Sequence, residues 1–365
     1  MTLRPDCLHF RGEKPCPFMR LCEGCPHFTP FPTRILIIKC RAQGDVLRTT
    51  TLLPALKKKY APSHVTWVTD PESIELLLYN PLVDRPLSLD PENALALLGE
   101  EFDILLSLDK ERGPTALATK VRAKKKLGFG RNELGNLIIF NEASAYAYRL
   151  GVDDVLKFVQ NKKSYPEVVH EMAELPFAGD EYVFDLPEEA KNKARLFLKR
   201  HRISPARPLI GLNTGSGTKF ETKQWPEEYF LKLIRLLDRK FAARVFLLGG
   251  KREKELNLRL SRRSRVKLYN TGADNSLLEF AGFISMMDVV VSSDTLAMHL
   301  AIALKKKVVA LFGPTSPVEV DLYGRGRKIF AGLDCAPCYR QTCPDRKCMK
   351  AITPEMVCRA VGELL

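Results

Sequence analysis

Three loops that follow strand-like runs carry the side chains best suited to chemistry. The first loop is Gln43-Gly44-Asp45, which comes directly after an apolar run. A glycine at this point permits a tight turn, and it places Asp45 at the carboxyl end of a strand near the start of the next helix. A carboxylate there can act as a general base. It can equally cap the helix, and its position leaves both roles open.

The second loop, residues 213–226, combines small residues with positive charge. Residues 215–217 are Gly-Ser-Gly, and Lys219 and Lys223 come just before a helix that begins near Pro226. Free backbone amides and lysines before a helix suit a phosphate group. The loop lacks the Walker A pattern and the third glycine of a dinucleotide-binding fingerprint. Loops of this composition also occur where nothing binds, so the phosphate site is a hypothesis.

The third loop, residues 292–299, again joins a strand to a helix. Hydroxyl groups and free amides at a helix N-terminus favour anions, although Asp294 can also be a plain helix cap. His299 lies one turn into the helix, where a packed core histidine is the more ordinary interpretation. The chain has no Asp-x-Asp triplet. A departing diphosphate would therefore be stabilised by lysines and helix amides rather than by a carboxylate-held metal ion.

Eight of the ten cysteines form two groups near the ends of the sequence. Each group contains one C-x-x-C pair, the spacing at which two thiolates can hold one ion. Four thiolates suit zinc, iron or an iron–sulfur cluster, and reduced cysteines in proline-rich loops are the alternative. The first group is Cys7, Cys16, Cys22 and Cys25, and the second is Cys335, Cys338, Cys343 and Cys348. The other two, Cys40 and Cys358, fit core positions of regular structure.

Strands and helices alternate around these loops, which predicts doubly wound parallel sheets. Residues 1–33 show no helical or strand period and are predicted to be an appended strap. An α/β half is predicted over residues 34–185, and a second over 186–365, which includes the cysteine-rich loop 335–348 and a last helix capped by Thr353. Strands are predicted near 34–39, 64–69, 103–108, 127–130, 208–213, 244–248, 266–269, 288–291 and 308–312, and helices over 46–60, 71–78, 146–175, 188–202, 226–241, 251–262, 276–285 and 296–304.

The composition fits a globular protein of two domains with anionic partners. Hydrophobic residues make up 45% of the 365 residues, and no apolar run approaches the roughly 18 residues that span a bilayer. The first residues lack the apolar stretch of a secretory signal, so we expect a cytoplasmic protein. The formal net charge of +14 favours nucleic acid, a phosphorylated saccharide or an anionic membrane surface. The basic clusters are dispersed over 57–59, 124–126, 262–265 and 305–307.

Taken together, the motifs resemble those of the heptosyltransferases of glycosyltransferase family 9, inverting enzymes of lipopolysaccharide core biosynthesis. The resemblance runs from Arg34 nearly to the C-terminus and rests on residues 35–50, 210–217, 223–226, 245–250, 294–301 and 308–315. It implies a GT-B fold of two Rossmann-like halves that face a central cleft. It also implies that the first half takes the acceptor and the second half the nucleotide sugar, typically ADP-heptose, with no cofactor needed for transfer.

The resemblance also implies roles for individual residues. Asp45 matches the catalytic base and Lys223 the lysine that contacts the donor phosphates. Either Glu253 or Glu255 corresponds to a ribose-binding glutamate. The family usually has glycine where this chain has Leu296, whose side chain narrows the approach to the diphosphate. The remaining donor-side positions are Thr214, Ser216, Asp294, Thr295, Ala297 and His299.

The expected partners are a nucleotide sugar and an anionic saccharide or lipid-linked acceptor at the inner face of the cytoplasmic membrane. Two alternatives stay open. Some relatives glycosylate proteins and carry iron held by cysteines, which would change the acceptor. A basic, metal-containing nucleic-acid-binding or regulatory protein is the second alternative. It predicts clustered basic residues with exposed aromatic rings, whereas the strongest motifs here lie on strand–helix loops, so no nucleic acid is expected.

Overall fold

The computed structural model describes residues 2–204, 206–217 and 219–365. Two six-stranded sheets form two α/β halves that face each other. This confirms the predicted fold class. None of the helices in these residues is both long and apolar enough to cross a membrane.

The first sheet has the strand order β3-β2-β1-β4-β5-β6. Its strands are parallel except for the antiparallel pair β5 and β6. Residues 35–38 are fully buried, because a central parallel strand is covered by helices on both faces. The strands are β1 (Thr33–Ile38), β2 (Ser63–Thr69), β3 (Arg85–Ser88), β4 (Glu101–Ser107), β5 (Arg122–Arg131) and β6 (Leu137–Ile139).

Six α-helices accompany this sheet: α1 (Gln43–Thr49), α2 (Leu52–Lys59), α3 (Pro91–Gly99), α4 (Arg112–Lys120), α5 (Ala145–Arg149) and α6 (Tyr165–Met172). The helix predicted over 46–60 is divided into α1 and α2. Pro54 has no N–H to give to the carbonyl of Thr50. At the break between the two helices, the hydroxyls of Thr50 and Thr51 donate to the carbonyls of Leu47 and Arg48, at 2.6 and 3.0 Å.

Two other helix predictions in this half are wrong in kind or extent. In place of the α-helix predicted over 71–78, the structure has a 3₁₀ helix over Pro71–Leu76. The stretch 146–175 is helical only in pieces, with a π-helical turn at Leu156–Gln160 between α5 and α6. The short strand predicted at 127–130 extends over the ten residues of β5.

The second sheet is entirely parallel, with the order β12-β11-β10-β7-β8-β9. Thr353 accepts a bond from the amide of Met356 at 3.3 Å, so its predicted capping role is confirmed. The strands are β7 (Leu209–Asn213), β8 (Arg244–Leu248), β9 (Leu268–Asn270), β10 (Val289–Ser293), β11 (Lys307–Phe312) and β12 (Gly326–Phe330). The helices are α7 (Glu188–Arg200), α8 (Glu227–Phe241), α9 (Lys254–Arg263), α10 (Leu277–Ser285), α11 (Leu296–Ala303), α12 (Lys347–Ala351) and α13 (Pro354–Leu364).

Candidate active site

Asp45 lies in the first turn of α1, where the chain leaves the carboxyl end of β1. One carboxylate oxygen is 2.9 Å from the guanidinium of Arg48, and the other is 3.9 Å from Nζ of Lys39. The same carboxylate accepts a long bond of 3.4 Å from the amide of Ala42. Its capping role is therefore weak. The side chain is 34% exposed, so it is open to the groove between the halves.

The charges around Asp45 keep it ionised. Burial alone would raise the pKa of this carboxyl, but the positive groups of Arg48 and Lys39, together with His299, outweigh burial and lower the pKa below its usual value. A carboxyl with a lowered pKa is ionised at neutral pH and can accept a proton. The site thus supplies a proton acceptor without the prior loss of a proton.

Arg48 is held from two sides. Its guanidinium stacks over the ring of Tyr165 at 3.7 Å and lies 3.8 Å from the carboxylate of Glu319, which belongs to the second half. The hydroxyl of Tyr165 is 2.9 Å from that of Thr49. Arg48 therefore fixes the orientation of Asp45 and connects it to the opposite half.

Lys39 and Asp109 form a buried ion pair beneath Asp45. Lys39 follows β1 and Asp109 follows β4, which are neighbours in the sheet. Lys39 donates to Asp109 and to the carbonyl of Arg41, and Asp109 also accepts from the amide of Cys40. Burial lowers the pKa of Lys39, but its neighbours Tyr165, Asp109 and Asp45 raise it more. Lys39 thus stays positively charged beside Asp45.

Lys223 of the second half points to the third loop. Its Nζ donates to the carbonyl oxygen of Asp294 at 2.7 Å and to the carboxylate of Asp294 at 2.9 Å. Ser293 donates from its hydroxyl to the carbonyl of Lys223 at 2.9 Å. These contacts use two of the three N–H groups of the lysine. The third has no hydrogen-bond acceptor among the residues that the structure describes.

The side chain of Asp294 pairs with Lys223 and His299 rather than capping α11. Thr295 occupies the N-cap position of α11, without a capping bond from its side chain. The carboxylate of Asp294 lies between Lys223 and Nε2 of His299, the latter at 3.6 Å. Burial would raise the pKa of Asp294, but Lys223 and His299 lower it strongly. Asp294 is therefore ionised and holds both neighbours in place.

A network of polar side chains supports the start of α11. The amide of Asn213 donates to the hydroxyls of Ser292 and Thr295, at 3.2 and 3.1 Å, and to the carbonyl of Gly215 at 3.2 Å. Asn213 thereby ties the second loop to the third. Ser216 is half-buried in the second loop, on the chain segment that follows these contacts.

Thr214 belongs to the loop that is predicted to lie on the phosphate side, and its hydroxyl bonds within the protein. Its side chain is fully buried, and its hydroxyl bonds to the side-chain oxygen of Asn257 at 2.6 Å and to the carbonyl of Leu248 at 3.3 Å. These bonds anchor the loop to the sheet, so the hydroxyl is turned away from the groove. A threonine after a buried strand can bond to the neighbouring strand in this way, and the placement of Thr214 on the phosphate side of the donor stays a prediction.

The structure separates the two candidate glutamates. An ideal Cβ added to Gly215 would lie 2.7 Å from a carboxylate oxygen of Glu253, so Glu253 is beside the second loop. Its other oxygen accepts from the amide of Gly250 at 2.8 Å. Glu255 is exposed on α9. Geometry therefore favours Glu253 as the residue beside the groove.

His299 joins the two halves. Its Nδ1 lies 3.1 Å from the hydroxyl of Tyr182, and its ring packs against Gly44, the residue before Asp45. The ring is buried and hydrogen-bonded, as expected for a packed histidine. Because His299 contacts both Gly44 and Asp294, it holds the segment of Asp45 close to Asp294. The side chain of Leu296 is half-buried against the core beside this contact, and Ala297 is buried.

We expect Gly44→Ala to disrupt this contact. The new Cβ would lie 2.5 Å from Cδ2 of His299, which a packed ring cannot accommodate without moving. Overpacking of this kind costs about 1–3 kcal/mol, so denaturant unfolding should show that loss together with a lower kcat. Gly99→Ala is the matched control, because no atom lies within 4 Å of its added Cβ. Equal stability of both variants would show that the halves do not depend on this contact.

Comparison with known proteins places this geometry in a family. The family model of glycosyltransferase family 9 (heptosyltransferase) matches residues 94–349, which is more than half of the chain. The chain belongs to glycosyltransferase family 9. Its predicted membership and enzyme class, a glycosyltransferase, are thereby confirmed.

Individual relatives span nearly the whole chain. Lipooligosaccharide heptosyltransferase 2 of Campylobacter jejuni subsp. jejuni is 24% identical over 336 residues, which cover 88% of this chain and 96% of that protein. The structure of ADP-heptose LPS heptosyltransferase II of E. coli is 19% identical, with a TM-score of 0.68 over 91% of this chain and 98% of that one. An E. coli heptosyltransferase solved with ADP-2-deoxy-2-fluoro heptose is 18% identical, with a TM-score of 0.61 over 91% of this chain and 100% of that one. These structures share the GT-B fold.

Several polar residues of the family 9 site were absent from the sequence prediction. The sequence could have indicated Arg48, because it follows Asp45 by three residues and residues three apart on a helix share a face. The sequence could also have indicated Lys39 and Asp109, since side chains at the carboxyl ends of neighbouring parallel strands meet. Nothing in the sequence indicates Glu319 and Tyr182, because their contacts depend on how the two halves are placed.

Arg48→Met is expected to move the acidic limb of the rate profile. Without the guanidinium, the effect of burial on Asp45 is less opposed, so the pKa of the carboxyl rises. A base with a higher pKa becomes protonated at a higher pH, and activity is then lost earlier as the pH falls. The measurement is kcat/KM against pH for both proteins. An unchanged acidic limb, in a variant that is folded normally as judged by circular dichroism, would argue that Arg48 does not control the charge of Asp45.

The cysteines do not form a ready site for a single ion. All ten are free, and Cys40 and Cys358 are buried in the core as predicted. Within residues 2–204, 206–217 and 219–365, no three His, Cys, Asp or Glu side chains converge in a way that could hold one metal ion. The expectation of a mononuclear zinc or iron site is therefore not met in either group, because the thiols of each group do not come together at one point.

A cavity of about 730 Å³ lies outside the site described above. It is lined by the segment between the halves and by the end of α10, including Asp185, Glu188, Lys191 and Arg195. None of the residues around Asp45 or Lys223 lines it. Its charged groups are mixed in sign and partly paired, as between Lys191 and Glu188. Asp45 and Lys223 lie elsewhere, in the groove between the halves.

Proposed function

We propose that the chain transfers heptose from ADP-heptose to a hydroxyl of a lipopolysaccharide-core-like acceptor, with inversion at the anomeric carbon and without a metal ion. The observation that carries the proposal is the juxtaposition of Asp45 with Lys223 and Asp294 across one groove, joined by His299. Two chemical groups that a single displacement needs, a proton acceptor and a cation for the leaving group, come from opposite halves. The E. coli relative solved with ADP-2-deoxy-2-fluoro heptose supports the choice of donor.

In the proposed reaction, Asp45 accepts the proton of the acceptor hydroxyl. As that proton leaves, the acceptor oxygen bonds to C1 of the sugar and the bond from C1 to the diphosphate oxygen breaks on the opposite face. Inversion follows from this single displacement. The role of Asp45 as base is supported by its exposure to the groove and by the neighbouring cations Arg48 and Lys39, which keep it ionised.

The leaving ADP gains negative charge on its diphosphate as the bond breaks. Lys223 supplies a positive charge, and the first turn of α11 supplies backbone amides that lack intrahelical partners. Asp294 is a positioning residue that orients Lys223. Glu253 is proposed to contact the ribose, and Ser216 and Thr295 to line the phosphate side. Preorganised groups of this kind lower the barrier because they need no rearrangement during the reaction.

In this proposal residues 34–185 take the acceptor and residues 186–365 take the donor. The net charge of +14 suits an acceptor that carries phosphates or carboxylates and is embedded in an anionic leaflet. The enzyme would then work at the inner face of the cytoplasmic membrane without crossing it.

Transfer is expected to continue in the presence of EDTA. Lys223 and the amides of α11 would carry the charge that a divalent ion carries in metal-dependent transferases. The rate should be measured with saturating donor after dialysis against EDTA and again after addition of Mg²⁺ or Mn²⁺. A rate that depends strictly on the added ion would contradict metal-independent stabilisation of the diphosphate.

The proposed function is tested by a panel of donors and by the stereochemistry of the product. We expect transfer from ADP-heptose to a heptose-free lipopolysaccharide core, with little transfer from UDP- or GDP-linked sugars. Proton NMR should show the anomeric configuration opposite to that of the donor. A retained configuration would exclude the single displacement. Transfer to protein side chains, with none to the saccharide, would replace the proposed acceptor.

A further inference from the structure

Residues 2–32 are ordered without a hydrophobic core of their own. They contain no helix and no strand, and Cys7 is the one buried residue among them. The two ends of the strap are joined by backbone bonds from Leu8 to Thr29 at 2.8 Å and from Phe31 to Asp6 at 2.9 Å. Segments too small to bury a core are normally held by disulfides or a metal centre. All four cysteines of the strap are free thiols.

These four cysteines line one partly open cavity. Cys7, Cys16, Cys22 and Cys25 all line a cavity of about 220 Å³. Its walls include stacked rings, with Phe18 parallel to His27 at 4.0 Å between centroids and edge-on to His9 at 5.0 Å. The strap is thus folded around the cavity with a thiol from each of its turns.

Each of the four cysteines begins a tight turn. The carbonyl of each accepts a backbone bond from the residue three positions later, at 2.9–3.3 Å, and the donors are Phe10, Met19, Cys25 and Phe28. Turns of this kind bring the following amides round toward the first residue, where N–H groups can stabilise the charge of a thiolate. The repetition at all four positions is what a four-thiolate centre requires.

The charge around the cavity has one sign. The charged residues that line it are Arg4, Arg11, Lys14 and Arg20, with no acidic residue among them. Arg4 is paired with Asp6 at 2.8 Å, and its guanidinium stacks over Phe28 at 3.7 Å. Four cysteines that share a metal centre are ionised, so the centre carries net negative charge. The basic lining compensates this charge.

The size of the cavity distinguishes a cluster from a single ion. Zinc binds thiolates at about 2.3 Å and draws four of them to one point, which leaves no space between them. Here no three ligands converge within the described part of the chain, and the space of about 220 Å³ is several times the roughly 30 Å³ that one water occupies. A polynuclear core is larger than a single ion and suits a space of this size better.

From these observations we propose that Cys7, Cys16, Cys22 and Cys25 bind an iron–sulfur cluster, one cysteine to each coordinating position. The cluster cross-links the strap and docks it on the first half. There the ring of Phe31 lies 5.4 Å from that of His64, at the amino-terminal end of β2, and Arg34 stacks over Phe31 at 5.3 Å. This is the edge of the sheet opposite to Asp45. The cluster is therefore structural and does not depend on the proposed transfer reaction.

The test uses the full chain purified under anaerobic conditions. Iron, zinc and acid-labile sulfide are measured per chain, and the reduced protein is examined by EPR. We expect iron and sulfide in equal amounts and a cluster EPR signal. The double variant C16S/C22S should lose the sulfide and the signal, whereas the matched variant C335S/C338S in the C-terminal group should keep both. Both pairs avoid the buried Cys7.

Hydrogen exchange separates a lost cluster from general unfolding. In C16S/C22S, exchange should rise in residues 2–32 while α1 and α11 stay as protected as in the wild type. Zinc without sulfide, intrachain disulfides in the strap, a metal-free wild type, or sulfide retained by C16S/C22S would each overturn the proposal.

Discussion

Asp45→Asn is expected to reduce kcat by roughly 10²–10⁴, the range that general base catalysis contributes. The amide has nearly the same shape as the carboxylate, but it cannot take the proton of the acceptor hydroxyl. Donor binding should persist, because Lys223 and α11 belong to the other half. The measurements are single-turnover transfer and the Kd of ADP by calorimetry.

The control for Asp45→Asn is Asp103→Asn. Asp103 is also a charge-paired aspartate of the first half, 2.8 Å from Lys124, but it lies at the amino-terminal end of β4, opposite to the groove. Its replacement should leave kcat close to that of the wild type. If folded Asp45→Asn retains wild-type turnover, another group accepts the proton of the acceptor hydroxyl, and Asp45 has only a structural role in α1.

Lys223→Ala is expected to have the second large effect, because it removes the cation and exposes an uncompensated carboxylate. Loss of one preorganised donor costs roughly 3–4 kcal/mol, or about 10²–10³ in rate. The carboxylate of Asp294, now without its partner at 2.9 Å, would also repel the diphosphate. Both kcat and donor affinity should therefore fall.

A double-mutant cycle separates these two contributions. In the variant with Lys223→Ala and Asp294→Asn, the repulsion is gone, so donor affinity should recover in part while kcat stays low. Lys240→Ala is the matched control, since Lys240 is an exposed lysine in the last turn of α8. Strictly additive losses in the double variant would indicate that Asp294 does not act through Lys223.

The sequence predicted the fold well because the central strands of both sheets are parallel and buried. Uniformly apolar runs such as residues 35–38 and 289–291 leave little choice of structure, and the polar loops that follow them come together at the carboxyl edges. The division of the helix at 46–60 was less visible. It depends on Pro54, which lacks an N–H, and on the hydroxyls of Thr50 and Thr51, which donate to backbone carbonyls of α1.

The candidate site was predictable in position but not in its internal bonding. Thr214 has the right residue type in the right loop, yet its hydroxyl is used by Asn257 of α9. Asp294 could be a cap from its position in the sequence, but the N-cap position is occupied by Thr295 and the carboxylate of Asp294 pairs with Lys223. The contact of His299 with Gly44 depends on the placement of two separately folded halves. No periodicity or local spacing in the chain encodes that placement.

The most direct test of the proposed site is a crystal structure of the complex with a non-transferable ADP-heptose analogue. We predict that the diphosphate contacts Nζ of Lys223 and the first turn of α11, and that C1 of the sugar faces the carboxylate of Asp45 across the groove. A diphosphate bound away from Lys223, or a sugar whose C1 is turned from Asp45, would contradict the arrangement on which the mechanism depends.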